Sequence, residues 1–195
     1  MRSTPARCNL LAASLLALAA LGQPTGASAQ GLEVLVEPTP KPERELILGA
    51  FGPADVKKSE TQRAKVVELA RRRLGVRVGQ DTATDLDAMQ RLVDGGHVRR
   101  DDVYLQQSLG VVLGDALDRD LRTLGWAAID DRYGHSRTLR YRDSDQLFFP
   151  VTMISKRVKA GERVDMRALY DQVKQATEEL ERQREEHLRK TRGRR

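Results

Sequence analysis

The residue types that most often carry catalysis are scarce in this sequence. Its three histidines, His97, His135 and His187, lie far apart and share no metal-ligand spacing with one another or with a carboxylate motif. Residues 134–136 lack the G-x-S-x-G pattern of a nucleophile elbow, and residues 110–114 lack the Gly-Lys-Ser/Thr ending of a phosphate-binding loop. We therefore expect no metal and no other cofactor, and the sequence favours a non-catalytic protein over an enzyme.

Cationic side chains are concentrated in one region of the chain. The candidate binding residues there are Arg137, Arg140, Arg142, Lys156 and Arg157, with Asp115 expected near them in the fold. Guanidinium and ammonium groups that converge on a cleft bind carboxylates and phosphates. We hypothesise that this set binds an anionic group or an acidic partner, close to Asp130 and Asp131. The alternative is a solvated sheet face with cross-strand ion pairs.

Period-two alternation predicts the strands that position these side chains. Three short strands are expected over residues 126–131, 138–142 and 146–149, joined by turns at 132–136 and 143–145 as an antiparallel meander. Pro150 suits the first turn of a helix, and Val151, Ile154 and Val158 follow at helical spacing. We expect a short helix there, with a continuing strand as the alternative.

Apolar residues at helical spacing predict the remaining elements. The predicted helices cover residues 60–74, the segment from Thr84 to Gly95, the segment from Asp101 or Asp102 to about Leu124, and a last helix capped by Asp165. Ser59 and Gln62 fit a capping box for the first helix. Gly110 and Gly114 each cost ~1 kcal/mol relative to alanine inside a helix. We therefore expect the sheet or another helix to cross there closely, or else a second molecule. The predicted fold class is α+β, a small three-stranded antiparallel sheet packed against several helices in a single domain.

The N-terminal segment has the features of a secretory signal peptide. Arg2 and Arg7 precede an apolar run over residues 10–21 and a small-residue triplet at 27–29, which predicts cleavage between Ala29 and Gln30. The apolar run is shorter than the ~20 residues that span a bilayer, so no transmembrane segment is expected after cleavage. The lone cysteine, Cys8, would be removed with this segment, which excludes disulfides. We expect a periplasmic or secreted protein.

The expected organisation has four parts. These are a signal peptide over residues 1–29, a Pro/Gly-rich linker over 30–58, the α+β domain over 59–182 and a charged basic tail over 183–195. The linker could include a short edge strand over 32–36. The tail either extends the last helix or frays, and it could contact an anionic surface weakly. A formal net charge of +6 is modest, and the tail has no aromatic residue for base stacking, so no nucleic-acid partner is expected.

Three segments carry a family resemblance. They read LGVVLGD from Leu109, DDRYGHSRTLRY from Asp130 and LFFPVTMISKRV from Leu147. Together they resemble a domain-of-unknown-function family of small bacterial exported proteins, over about residues 101–180. The resemblance implies a small α+β domain and brings no catalytic residues.

The function favoured at this point is a non-catalytic binding or accessory module of the bacterial cell envelope. Its partner would be an unknown envelope protein or an anionic ligand. The alternative is a ligand-binding protein or hydrolase that uses a cleft between the sheet and the helix beginning at Pro150.

Overall fold

Four antiparallel strands form one sheet. In the computed structural model of the chain, which describes residues 47–131 and 134–193, the strands are β1 (Ile47–Ala50), β2 (Leu124–Asp131), β3 (Gly134–Tyr141) and β4 (Leu147–Phe148). They pair in the order β1-β2-β3-β4, each antiparallel to its neighbour. The predicted α+β class is confirmed, but the predicted number of three strands is wrong.

The additional strand, β1, carries no strand pattern of its own. It reads ILGA, and Gly49 and Ala50 are both poor strand formers. Its backbone pairs with β2 from Ile47 opposite Asp130 to Ala50 opposite Ala127. The pairing partner, distant in sequence, therefore makes this segment a strand, and period-two reasoning has no means of finding it.

Five helices occur in the described residues, and the third of them lies at the centre of the core. They are α1 (Pro53–Leu74), α2 (Thr82–Asp94), α3 (Val103–Asp120), α4 (Pro150–Ala160) and α5 (Met166–Arg192). Leu109, Leu113 and Leu117 of α3 are fully buried, because helical spacing places them on one face between the other elements.

The helix predicted after Pro150 is confirmed. Asp165 caps α5 as predicted, since its carboxylate accepts from the Ala168 N–H.

The first helix begins at Pro53 instead of the predicted Glu60. Gly52 caps it in extended backbone, and Pro53 occupies the first helical position, where its fixed φ and missing N–H cost nothing. The predicted capping box of Ser59 and Gln62 is therefore wrong, because both residues are buried inside the helix. Residues 47–58, predicted as the end of a linker, form β1 and the first turns of α1.

Other predicted boundaries also move. The third helix ends at Asp120 instead of about Leu124, because Leu121 leaves helical backbone and Leu124 already starts β2. Residues 134–136, predicted as part of a turn, belong to β3, which begins at Gly134. The φ of Gly134 is 109°, a conformation that glycine adopts without strain.

The predicted basic tail continues α5 as a helix through Arg192. Ion pairs one turn apart, Glu185 with Arg189 and Glu186 with Lys190, support this part of the helix. Near its middle, Glu181 accepts hydrogen bonds from the Tyr141 hydroxyl at 2.7 Å and from the Arg142 Nε at 2.8 Å. The end of β3 thus fixes α5 to the domain.

Gly110 and Gly114 mark the closest approaches in the core. A Cβ on Gly110 would lie 2.7 Å from the Val151 Cα, and one on Gly114 would lie 2.6 Å from the Trp126 Cη2. Both distances are shorter than van der Waals contact, so only glycine fits. The predicted close crossing is confirmed, and the crossing elements are α4 and β2 of the same chain.

Several sequence predictions fall outside the described residues. They are the signal peptide with its cleavage site between Ala29 and Gln30, the optional strand over residues 32–36 and most of the linker. Within residues 47–131 and 134–193, no helix combines the length and apolar character needed to span a bilayer.

Candidate functional site

The alternation of β3 sorts its cationic residues onto two faces. Successive strand residues point to opposite sides of a sheet. Arg137 shares the helix-packed face with Leu139 and Tyr141, which belong to the hydrophobic core. Arg140 belongs to the other face. The strand therefore separates the two arginines that the sequence hypothesis had grouped.

Arg137 is buried, with 6 % of its surface exposed. Its terminal nitrogens donate hydrogen bonds to the Ser59 Oγ and the Gln62 Oε1 of α1. No carboxylate of the described residues lies within 4.0 Å of the guanidinium. Burial lowers the pKa of Arg137 from its usual value, although the negative charge of Asp55 opposes this shift. A buried cation without a direct counter-charge is energetically expensive, so its presence indicates a role beyond packing.

The hydrogen-bonding capacity around Arg137 is only partly used. Its Nε–H and one N–H on each terminal nitrogen have no acceptor among the described residues. The Nε2 of Gln62, in a fully buried side chain, has no acceptor there either. Buried donors normally have acceptors, because leaving one unmade costs about 1–3 kcal/mol. Gln62 is fully buried, so its unpaired donor is closed to a ligand, whereas the unused donors of Arg137 are open to an anionic or carbonyl oxygen.

Arg137 lines a cleft of about 630 Å³ between β3, α1 and α4. The other lining residues are Lys58, Gln107, Asp131, His135, Ser136, Phe149, Val151, Thr152 and Lys156. Lys58 and Lys156 are exposed, and neither forms an ion pair with another described residue. Among the lining residues, the two ammonium groups and the Arg137 guanidinium outnumber the one carboxylate, that of Asp131.

The first turn of α4 adds to this positive character. Phe149 occupies the N-cap position without a side-chain hydrogen bond, Pro150 follows, and the first turn has no acidic residue. The N-terminus of a helix carries partial positive charge from its aligned peptide dipoles. Since Val151 and Thr152 of this turn line the cleft, an anion there would be stabilised by the helix as well as by the side chains.

His135 ties the hairpin to α1. Its Nε2 lies 2.8 Å from the Asp55 Oδ1, and its Nδ1 lies 3.1 Å from the Asp130 Oδ1. The hydrogen bonds to Asp55 and then Asp130 raise the pKa of His135. With both ring nitrogens occupied by carboxylates, the imidazole has no nitrogen available to activate the neighbouring Ser136.

The raised pKa of His135 predicts a pH dependence of stability. A group whose pKa is raised on folding stabilises fully below its unfolded value of about 6.5 and loses that contribution as the pH rises through the folded value. We expect the unfolding free energy to fall above pH 6.5 by less than about 1 kcal/mol, because the side chain is half exposed and solvent screens it. Urea unfolding at pH 5.5 and 8.5 measures this difference.

The variant His135→Gln should lose this pH-dependent increment, whereas His187→Gln, on the exposed part of α5, should keep it. Equal pH dependence in the wild type and in His135→Gln would show that the two carboxylate contacts contribute nothing to stability.

The remaining predicted binding residues lie elsewhere. Arg140 and Arg142 line a separate concavity with Arg122 and residues of β1 and β2. The Arg140 Nε donates to the Ser144 carbonyl at 2.7 Å, and Arg142 is paired with Glu181.

Arg157 and Asp115 are likewise engaged within the fold. Arg157 donates to the Gln172 Oε1, and Asp115 pairs with Arg63 of α1 at 2.6 Å. Of the six predicted binding residues, the structure therefore brings Arg137 and Lys156 to one cleft and places the other four outside it.

Sequence reasoning missed the two residues of α1 that accept hydrogen bonds from Arg137. Ser59 and Gln62 occupy the same buried stripe of α1 as Val66 and Ala70, three or four residues apart. Polar residues at apolar positions of a helical stripe need buried partners. That spacing was the available signal, although it does not identify Arg137 as the partner. Among the residues with described positions, no cluster of His, Cys, Asp and Glu is suited to hold a metal ion.

Comparison with known proteins shows that the central part of the chain is similar to a family of domains. Residues 85–170 match the model of a family described as a domain of unknown function, DUF3806. The predicted resemblance to a domain-of-unknown-function family is thereby confirmed. The matched range includes α3, β2, β3 and α4, whereas Lys58, Ser59 and Gln62 precede it. No curated protein matches the chain.

The fold also has a similar solved structure. A crystal structure from Bacteroides thetaiotaomicron VPI-5482 at 1.50 Å resolution is similar with a TM-score of 0.62 and 17 % sequence identity. The similarity covers 67 % of this chain and 48 % of that chain, so this chain spans about half the length of its structural relative. At this identity the similarity supports the fold alone.

Proposed function

We propose that this domain is a non-catalytic binding module that holds an anionic ligand in the cleft beside β3. The single observation that carries the proposal is Arg137, a buried cation with unused N–H donors and no described carboxylate within 4.0 Å. A bound anion supplies both the counter-charge and the acceptors that this guanidinium lacks.

The electrostatics of the cleft support the same ligand class. Lys58 and Lys156 lie at the cleft without ion-pair partners among the described residues, and the uncapped start of α4 is positive. Exposed lysines attract an anion from solution, whereas the buried Arg137 holds it in a fixed orientation. The division between exposed and buried cations therefore favours selective anion binding over a generally basic surface.

The hydrolase alternative has less support. A general base needs a ring nitrogen or carboxylate within reach of a nucleophile. Both nitrogens of His135 already contact carboxylates, and Ser136 has no described hydrogen bond to a base. Binding without catalysis is therefore the function that the geometry favours.

The proposed location of this module is the periplasm or the extracellular space of a bacterium. The support for it is the signal-peptide pattern of residues 1–29. N-terminal sequencing of the protein recovered from its native host tests the location, with a first residue of Gln30 expected and an intact Met1 contradicting it.

Titration with simple anions tests the binding function. We expect sodium acetate and sodium phosphate, added at constant ionic strength, to shift the backbone NMR signals of the cleft residues saturably. A dissociation constant near 1 mM corresponds to about −4 kcal/mol, which suits one buried and two exposed cations acting on a small ion. The double variant Lys58→Gln/Lys156→Gln should weaken acetate binding about fivefold, since two exposed cations that each contribute about 0.5 kcal/mol together contribute about 1 kcal/mol.

The matched control is Lys57→Gln/Lys159→Gln, which removes the same charge from the same two helices at exposed positions outside the cleft. It should leave the dissociation constant within about twofold of the wild type. Equal weakening by both double variants would show that the lysines act through the net charge of the protein and not through the cleft. The absence of saturable shifts with every anion would overturn the proposed function.

A further inference from the structure

We infer that the cleft is specific for a carboxylic acid with an apolar body, because Arg137 at one wall faces the same space as Phe149 and Val151 at another. This inference rests on the proposed anion binding and adds the class of ligand. It follows from three features of the cleft: the form of its donors, its acidic neighbours and its apolar wall.

The donors suit a planar, singly charged group. The guanidinium presents parallel N–H groups that match the two coplanar oxygens of a carboxylate. Because Ser59 and Gln62 already hold the terminal nitrogens from α1, the orientation of the guanidinium plane is fixed. Fixed donors favour a ligand whose acceptors lie in one plane.

Acidic side chains limit the charge that the cleft accepts. Asp131 is itself a lining residue, and Asp55 and Asp130 lie beside the lining residue His135. A second negative charge on the ligand would be repelled by these carboxylates, and the repulsion grows where water is excluded. A carboxylate with one charge is therefore preferred over a phosphate monoester with nearly two.

Two of the lining residues are large apolar side chains. Phe149 is half-buried at the N-cap of α4, and Val151 in the next turn is 6 % exposed. The volume of about 630 Å³ is within the range of small-molecule sites and far exceeds that of a carboxylate group. The cleft has room for a ligand body beside the carboxylate, and contact of that body with the Phe149 ring removes apolar surface from water.

A series of straight-chain carboxylates tests the inference. We expect the dissociation constant to fall at least about tenfold from acetate through butyrate to hexanoate, since burial of each methylene group strengthens binding several-fold. Hexyl phosphate is the comparison ligand for the anionic group, and it should bind more weakly than hexanoate.

The variants Phe149→Ala and Phe149→Leu separate the apolar contact from the anion site. Phe149→Ala should reduce the preference for hexanoate over acetate while acetate binding persists, and Phe149→Leu should retain most of the preference. Persistent acetate binding also shows that the variant is folded. If Phe149→Ala fails to fold, Phe149→Leu is compared with the wild type instead. The inference is overturned if the dissociation constant does not depend on chain length in either protein.

The outcomes distinguish this inference from the proposed function. If acetate binds and chain length has no effect, or if hexyl phosphate binds more tightly than hexanoate, anion binding stands and the inferred ligand class is wrong. If no carboxylate or phosphate binds, both are wrong.

Discussion

The substitution Gly110→Ala is expected to lower the unfolding free energy by about 2 kcal/mol. The added methyl group would meet the Pro150 carbonyl oxygen and the Val151 Cα, which are backbone atoms and cannot move aside by a rotamer change. Overpacking of this kind costs about 1–3 kcal/mol or more, against which alanine gains about 1 kcal/mol of helix propensity. Because the collision involves the backbone of α4, we place the net effect toward the upper end.

The control for this substitution is Gly125→Ala in β2, where a Cβ would have no neighbouring atom within 4 Å and φ is not positive. Urea unfolding should show that change within about 0.5 kcal/mol of the wild type. A neutral Gly110→Ala variant would mean that α3 and α4 do not meet along this contact. The packing of α4 against α3 would then have to be revised, and with it the position of the cleft.

The second large effect is expected from Arg137→Met. Methionine retains most of the buried volume and removes the charge. Acetate and hexanoate binding should weaken more than about tenfold, because a hydrogen bond to a charged group contributes about 1.5–3 kcal/mol. The unfolding free energy should stay within about 1 kcal/mol of the wild type. Removal of a desolvated cation favours folding, while Ser59 and Gln62 lose a hydrogen-bond donor, and the two effects oppose each other.

Arg140→Met is the matched control, because Arg140 belongs to the other face of β3 and lines a different concavity. Calorimetric titration should show unchanged binding in this variant. Two results would contradict the account: tight binding retained by Arg137→Met, or a loss of several kcal/mol of stability in it. The second would give Arg137 a structural role in joining β3 to α1.

The features that follow from local rules are predictable from the sequence. Asp165 is a cap because its carboxylate reaches an N–H three residues ahead. The two glycines of α3 indicate a crossing because their helical cost needs a compensating contact. The alternation over residues 138–142 indicates the central strand, because Leu139 and Tyr141 share the face that enters the core. Each of these arguments needs only a few neighbouring residues.

The features that depend on distant contacts are not predictable in this way. Ser59 and Gln62 have the spacing of a capping box, yet their partner Arg137 lies 78 and 75 residues away. β1 becomes a strand only through pairing with β2. The charges around β3 and α4 predict the candidate site. The strand register is needed to show that Arg137 and Lys156 line one cleft, whereas Arg140 lies on the other face of the sheet.

The most direct test of the central claim is the NMR signal of the Arg137 Nε–H during a titration with hexanoate. The account predicts that this signal shifts downfield as a carboxylate accepts its hydrogen bond, and that it saturates with the dissociation constant given by the backbone signals of Phe149 and Thr152. An Arg137 signal that stays in place while other signals move would show that the buried guanidinium does not bind the anion, which contradicts the account.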